Sequence, residues 1–235
     1  MKIVTSRNKM DRHKLDVKLN LLEQINLFSS LNIDELSSIQ KKIIIKSFKK
    51  NQTILHEEDT NEFMYIILFG SVKVVQMTED GREILLAIHR SGEFFGEISL
   101  IDKETLPATV IAIEDSSIAI ISGRDFFSIL KENNKILDNL LKIFCARLRE
   151  SWKRIKILSF TNAEQRVKML FMKSYSLTEE GSILNIRLTH QDIANMIGIS
   201  RETVTRIIDK WRREGNIKIL KNRKILLTDN FLKNL

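Results

Sequence analysis

Thr189-His-Gln-Asp-Ile-Ala-Asn-Met-Ile-Gly-Ile-Ser-Arg-Glu-Thr-Val-Thr-Arg206 is the stretch on which the reading of this chain turns. Thr189, with Asp192 three residues on, resembles a capping box, which starts a helix at His190 and puts Ile193, Ala194 and Ile197 on its inner face. Gly198-Ile199 supplies a tight turn, because glycine takes the positive φ such a turn needs, and Ser200 caps the next helix. There Val204, Ile207, Ile208 and Trp211 fall on one side, and Arg201, Glu202, Thr205 and Arg206 on the other. The pattern predicts a helix-turn-helix whose second helix presents a polar face to base edges in a major groove.

The residue types suit that task. Arginine donates a bidentate pair to guanine O6 and N7, glutamate accepts from cytosine N4, and each good pair is worth about 1–3 kcal/mol of discrimination. Arg201 and Arg206 are therefore expected guanine readers and Glu202 a cytosine reader, with Thr205 on the same reading face. Thr189, Gln191, Ser200 and Thr203 stand where hydroxyl, amide and helix-start N–H groups hold phosphates. The bland alternative is a solvated amphipathic helix whose charges serve solubility. Downstream, Ile217-Lys-Ile-Leu220 and Ile225-Leu-Leu227 flank Lys221-Asn-Arg-Lys224, as in the hairpin of a winged helix; its basic tip either touches phosphates or protects a sheet edge.

Composition agrees with an anionic partner. The 235 residues carry a net charge of +8, and the segment from Thr161 onward holds fourteen Lys or Arg against eight Asp or Glu, most of that excess. A basic balance alone does not separate nucleic acid from acidic lipid. Hydrophobic residues make up 43%, enough for a folded core in each of two domains. A single cysteine, Cys145, rules out an intrachain disulfide and a multi-cysteine metal or iron–sulfur site. It reads as a small buried hydrophobe, or as a thiol near a dimer seam that senses oxidation. His13, His56, His89 and His190 lack ligand spacing and read as surface or turn residues, so no metal and no cofactor is expected. No apolar run suits a leader or a membrane span, which points to the cytoplasm. Nucleophile–base pairs and Gly-rich phosphate loops are missing as motifs, and no enzyme is expected.

Further upstream the pattern changes. Residues 1–18 read as a mobile N-terminus, and a helical stretch is expected around Leu21 to Lys46. Phe63-Met-Tyr-Ile-Ile-Leu68, Val72-Lys-Val-Val75 and Ile84-Leu-Leu-Ala-Ile88 read as short strands punctuated by Gly70-Ser71 and Glu79-Asp80-Gly81, an antiparallel roll over residues 19–122. Residues 123–160 predict one long helix, with Leu141, Phe144, Leu148, Ile155 and Leu158 spaced by threes and fours and Ser151 as the polar member of the series. That stripe either pairs with a second chain, making a homodimer, or packs within its own. Residues 161–235 form the winged helix-turn-helix. The fold class is α+β.

The motif from Thr189 to Arg206 resembles the CRP/FNR family of regulators, and the likeness extends from about Leu27 onward. It implies a jelly-roll-like cyclic-nucleotide-binding-type β-roll, a long dimerisation helix and a C-terminal winged helix, acting on double-stranded DNA and on RNA polymerase. Leu177-Thr-Glu-Glu-Gly-Ser182 is a candidate polymerase surface or an ordinary hairpin turn. Arg201, Glu202 and Arg206 match the base-reading positions of the cyclic-AMP-responsive branch, implying half-sites similar to TGTGA in an inverted repeat. His190 stands where that branch has Arg.

The resemblance also locates an effector pocket. Ser91-Gly-Glu-Phe-Phe-Gly-Glu-Ile-Ser-Leu100 is similar to the family's phosphate-binding cassette, and Gly96 and Glu97, followed by Ile98, match it. The Arg-Ser pair expected further on is Pro107-Ala108 here, which offers neither cation nor hydroxyl. Ser151 and Trp152 stand where nucleotide-binding members carry small hydroxyl residues against the base. Three readings follow: a cyclic nucleotide, another small-molecule effector, or activity without ligand. Beside them stands a different class of function, an interaction module whose helix-turn-helix binds protein or binds DNA without specificity.

Overall fold

The computed structural model describes residues 19–179, 181–184, 188–220 and 224–233, which leaves residues 1–18, His13 and the tip residues Lys221, Asn222 and Arg223 outside it. The chain divides into two compact units. One takes in the described residues up to Gln76 together with Leu85–Arg147, and the other Met77–Ile84 together with the described residues from Leu148.

In the first unit the run Phe63–Phe69 contains no polar residue to alternate with the apolar ones, as a strand buried on both faces requires. This strand, β3, lies in a four-stranded antiparallel sheet in the order β1 (Ile43–Phe48), β8 (Ser116–Ser122), β3, β6 (Phe94–Phe95). The second sheet runs β2 (Thr53–Leu55), β7 (Thr109–Ala112), β4 (Ser71–Met77), β5 (Glu83–Arg90). Tyr65 and Ile67 of β3, with Ile118 and Ile120 of β8, face Leu55, Val72 and Val110 of the opposite sheet. Their neighbours Met64, Ile66, Leu68, Ala119 and Ile121 point the other way, into a core closed by helices. Those helices are α1 (residues 19–23), α2 (Ile33–Gln40), α3 (Glu97–Asp102), α4 (Gly123–Glu132) and the start of α5 (Asn134–Leu158). Asp80-Gly81 turns the β4–β5 hairpin, with Gly81 at φ +79° and its N–H donating to the Thr78 carbonyl at 2.8 Å.

Two expectations need correction here. The helical stretch over Leu21–Lys46 is instead two short helices and a 3-10 turn (Asn26–Phe28), followed by strand β1. The β-branched run Ile43-Ile-Ile45 pairs with β8 and sends Ile43 and Ile45 to the helical core, while Ile44 faces solvent. The long helix over 123–160 is broken in two, because Asn133 adopts extended backbone (φ −141°, ψ 98°) between α4 and α5. Its side-chain oxygen accepts the Lys135 N–H, restarting the helix.

In the second unit, α6 (Ala163–Lys173), α7 (His190–Ile197) and α8 (Arg201–Arg213) pack on a sheet ordered β11 (Ile217–Ile219), β12 (Ile225–Leu227), β10 (Gly181–Leu184), β9 (Tyr175–Thr178), with α9 (Asp229–Lys233) closing it. Of the candidate surface Leu177-Thr-Glu-Glu-Gly-Ser182, Leu177 and Thr178 lie in β9 and Gly181 and Ser182 in β10, which pair antiparallel, Leu177 being exposed and Glu180 lying outside the described residues. Trp211 is the centre of the core, its ring edge-on to Phe171 (centroids 5.7 Å) and to Phe231 (4.9 Å). The indole Nε1–H donates to Glu164 Oε1 at 2.8 Å, and Lys210 Nζ reaches the same carboxylate at 3.0 Å. Partial burial pushes the Glu164 pKa up, but the Lys210 and Trp211 hydrogen bonds outweigh it and hold the group below its ordinary 4.5.

A depressed carboxylate contributes stability that is present above its unfolded pKa and lost as pH falls through the folded one. Thermal unfolding of the full chain, followed from pH 6 down to pH 3, should therefore show a loss below about pH 4.5 that is smaller in Glu164→Gln. Identical pH profiles would show that Glu164 contributes nothing to anchoring α8.

Candidate nucleic-acid interface and effector cassette

The helix-turn-helix is built as its sequence predicts. Thr189 Oγ1 accepts the Asp192 N–H at 3.1 Å and the Asp192 carboxylate accepts the Thr189 N–H at 2.9 Å, a reciprocal capping box that starts α7. Gly198 ends α7 in the left-handed region at φ +66°, and Ser200 Oγ accepts the Thr203 N–H at 3.2 Å to start α8. Ile193, Ala194, Ile197, Val204, Ile207, Ile208 and Trp211 are all buried, so the angle between the two helices is fixed by a shared apolar seam. Arg166 of α6 adds a polar tie, donating from Nε to the Phe160 carbonyl at 2.6 Å and from Nη1 to the Ile197 carbonyl at 3.1 Å.

On the opposite side of α8 a shallow groove is lined by Arg201, Glu202, Thr205, Arg206, Asp209, Arg212 and Arg213. The four expected base readers thus fall together on one face. Sequence reasoning stopped at Arg206 and missed Asp209, Arg212 and Arg213, although carrying the helical period one more turn finds them. Arg201, Glu202 and Arg206 are exposed and make no ion pair among the described residues, whereas Arg212 pairs with Asp209 at 3.1 Å. The four expected phosphate residues surround the start of each helix, and their side chains also bond internally: Thr189 to Asp192, Ser200 to Thr203 and Gln191 to Asn195. His190 is half-buried at the edge of the motif. It is the first residue of α7, with its Nδ1 2.9 Å from Thr205 Oγ1. His56 does sit in a turn, its carbonyl accepting the Asp59 N–H, but His89 lies in β5 with its side chain mostly buried, 3.7 Å from Glu93.

The cassette is laid out by Gly96, which caps α3 in the left-handed region at φ +82°. A Cβ there would come within 2.9 Å of Tyr65 Cδ2 and 3.1 Å of the Phe63 carbonyl, so only glycine fits. Glu97 is 2% exposed and its carboxylate accepts from Arg147 Nη1 of α5 at 2.5 Å. The same guanidinium donates to the Phe94 carbonyl at 2.6 Å and lies 4.5 Å from the Phe94 ring centroid. Arg147 was not singled out from sequence, because nothing in its own helix marks it; its partner is fifty residues away. Ile98 faces solvent, Ala108 is buried, and Pro107 is exposed with its carbonyl accepting from Gln76 Nε2.

Along α5 the expected stripe is exposed at four of its five apolar members, Phe144 being the exception. Leu141, Leu148, Trp152 and Ile155 are each more than half exposed and Leu158 is exposed too, while Phe144 turns into the helical core of the first unit. Ser151 and Cys145 are also exposed. The expectation of a buried Cys145 is therefore wrong: the residue falls between Leu141 and Leu148 on the outward side of the helix, not on the side that meets the roll.

An outward arginine–glutamate face on a capped helix-turn-helix, within a winged sheet, defines a DNA-binding transcription regulator. Residues 45–133 match the model of the cyclic nucleotide-binding domain and residues 165–230 that of the Crp-like helix-turn-helix domain. The cyclic AMP receptor protein of Thermus thermophilus is 27% identical over 193 residues, covering 82% of this chain and 88% of that one. The cAMP-activated global transcriptional regulator CRP of Pasteurella multocida is 30% identical over 168 residues, 70% of this chain and 80% of the relative. In fold, a mutant of CooA from Carboxydothermus hydrogenoformans matches with a TM-score of 0.73 at 23% identity, over 89% of this chain and 91% of that one. The chain belongs to the CRP/FNR family, which is made up of transcription regulators and not of enzymes. Among the described residues no helix is long and apolar enough to cross a membrane.

The Arg147–Glu97 pair makes a stability prediction. Removing one partner of a buried pair strands the other charge, at a cost of about 3–5 kcal/mol. Arg147→Met should lower the urea midpoint of the full chain markedly, and adding Glu97→Gln should recover much of the loss. Full additivity of the two substitutions would show that the ion pair is not what holds them.

Proposed function

We propose that this chain is a homodimeric, sequence-specific transcription regulator that reads an inverted repeat of TGTGA-like half-sites through α8 and is not controlled by cyclic AMP. The observation that carries the reading is the outward face of α8, where Arg201, Glu202 and Arg206 stand exposed with no ion pair among the described residues. Thr189, Gln191, Ser200 and Thr203 at the two helix starts take the phosphate contacts. Residues 19–122 serve as the sensor-type domain, 123–160 as the dimerisation segment and 161–235 as the DNA reader. RNA polymerase is the further partner, with the β9–β10 hairpin as its candidate surface.

Dimerisation is supported by Leu141, Leu148, Trp152 and Ile155, an apolar stripe too regular to be left in water along one helix. Independence from cyclic AMP is supported by two features of the cassette: Glu97 is already engaged by Arg147, and Pro107-Ala108 offers a phosphate no counter-charge. A second reading, an effector-dependent regulator sensing a cyclic nucleotide or another small molecule in the roll, is favoured by the match of residues 45–133 to the cyclic nucleotide-binding domain and by relatives named as cAMP-activated.

The test is binding of the ligand-free full chain to a palindromic TGTGA duplex and to a scrambled one, near physiological salt. The expected result is tight binding to the palindrome alone, unchanged by cyclic AMP, with Arg206→Ala losing about tenfold to a hundredfold on the palindrome and little on the scrambled duplex. Equal loss on both duplexes overturns specific reading; tight binding only after cyclic AMP is added establishes the second reading. For the dimer, Leu148→Glu places a charge in the stripe, and sedimentation should shift from a dimer to a monomer of about half its mass. A wild type that sediments as a monomer at micromolar concentration would remove the dimer from the proposal.

A further inference from the structure

Thr205 differs from Arg201, Glu202 and Arg206 beside it in having its polar group engaged within the chain. Its hydroxyl donates to the carbonyl of Arg201, one helical turn back, at 3.0 Å. The same oxygen lies 2.9 Å from His190 Nδ1, so one hydroxyl is tied to both helices of the motif, the imidazole tautomer deciding which of the two atoms donates in that contact. Threonine in a helix has two accessible χ1 states, and the paired bonds to Arg201 and His190 select one of them. The side chain is half-buried yet still lines the groove between Glu202 and Arg206. With its hydroxyl turned toward Arg201 and His190, the other branch of the side chain is the Cγ2 methyl.

A methyl on a major-groove reading helix has one complementary partner among the four bases, the C5-methyl of thymine. We infer that Thr205, held in place by His190, reads a thymine methyl in each half-site, making His190 a positioning residue for base recognition. The inference rests on α8 being the reading helix. It extends that reading, because it gives Thr205, so far only placed on the reading face, an apolar contact with a base as its task. It also gives His190 a task other than holding a phosphate: the imidazole reaches across from α7 to lock a side chain of α8.

The test starts from the site the protein itself prefers. A duplex is selected by the full-length chain from a randomised pool, and each thymine is then replaced by uracil, symmetrically in both half-sites. Uracil keeps every hydrogen-bonding group of thymine and lacks only the methyl. One symmetric position should weaken wild-type binding about fifteenfold, near fourfold per half-site, as expected for one buried methyl-sized contact. In Thr205→Ser, which keeps the hydroxyl and loses the methyl, the thymine-to-uracil ratio at that position should fall below about twofold. In Thr205→Val, which keeps methyls and loses the hydroxyl, it should stay above about fivefold. His190→Ala should reduce the ratio to about threefold, a readout that a general loss of helix stability would not move, because both duplexes would weaken together.

A clear consensus with a flat uracil scan overturns this inference and leaves base reading by α8 intact. A uracil effect of equal size in wild type and Thr205→Ser, or one lost in Thr205→Val, assigns the methyl contact elsewhere and also overturns it. A selection that returns no consensus defeats base reading itself, and the inference falls with it.

Discussion

A helix that reads DNA cannot use its reading face to hold itself in place. In this chain α8 meets that constraint through Val204, Ile207, Ile208 and Trp211, which bury one side of the helix completely and leave every charged group of the other side uncommitted to the core. Trp211 does more than fill volume. Its ring packs against Phe171 and Phe231 while its N–H meets Glu164, so the rotation of α8 about its own axis is fixed by a directional bond as well as by shape. The groove exists only because that rotation is fixed.

The same logic explains which parts of the chain were legible. Capping box, left-handed glycine and serine cap are local devices with a residue signature, and Thr189, Gly198 and Ser200 do what their spacing indicates. The strands β3, β4 and β5 were visible for the same reason, as apolar or alternating runs closed by turn residues. What stayed hidden depends on partners distant in sequence. Ile43–Phe48 follows a helical stretch and becomes a strand because β8 is there to pair with it. Asn133 interrupts a pattern that is helical on both sides, and a single asparagine carries no signal strong enough to show it.

At the candidate sites the division is similar. The polar face of α8 was legible almost whole because helical periodicity alone assembles it. The cassette was found by resemblance, but its decisive contact, Arg147 with Glu97, joins α5 to α3 across fifty residues and cannot be read from either segment. Cys145 was misjudged because a helix with apolar residues on more than one side does not declare which side is inward. The contact of His190 with Thr205 could not be read locally because its partner belongs to the next helix.

Strands β3 and β8 send alternate side chains into two separate cores, Tyr65 and Ile67 between the sheets and Met64, Ile66 and Leu68 beneath the helices. Sliding β3 by one residue would exchange the contents of the two cores wholesale, putting tyrosine where methionine belongs. Neither compartment can therefore settle while the other is misaligned. The roll has a built-in check on its own register: an assembly error in one layer is felt at once in both.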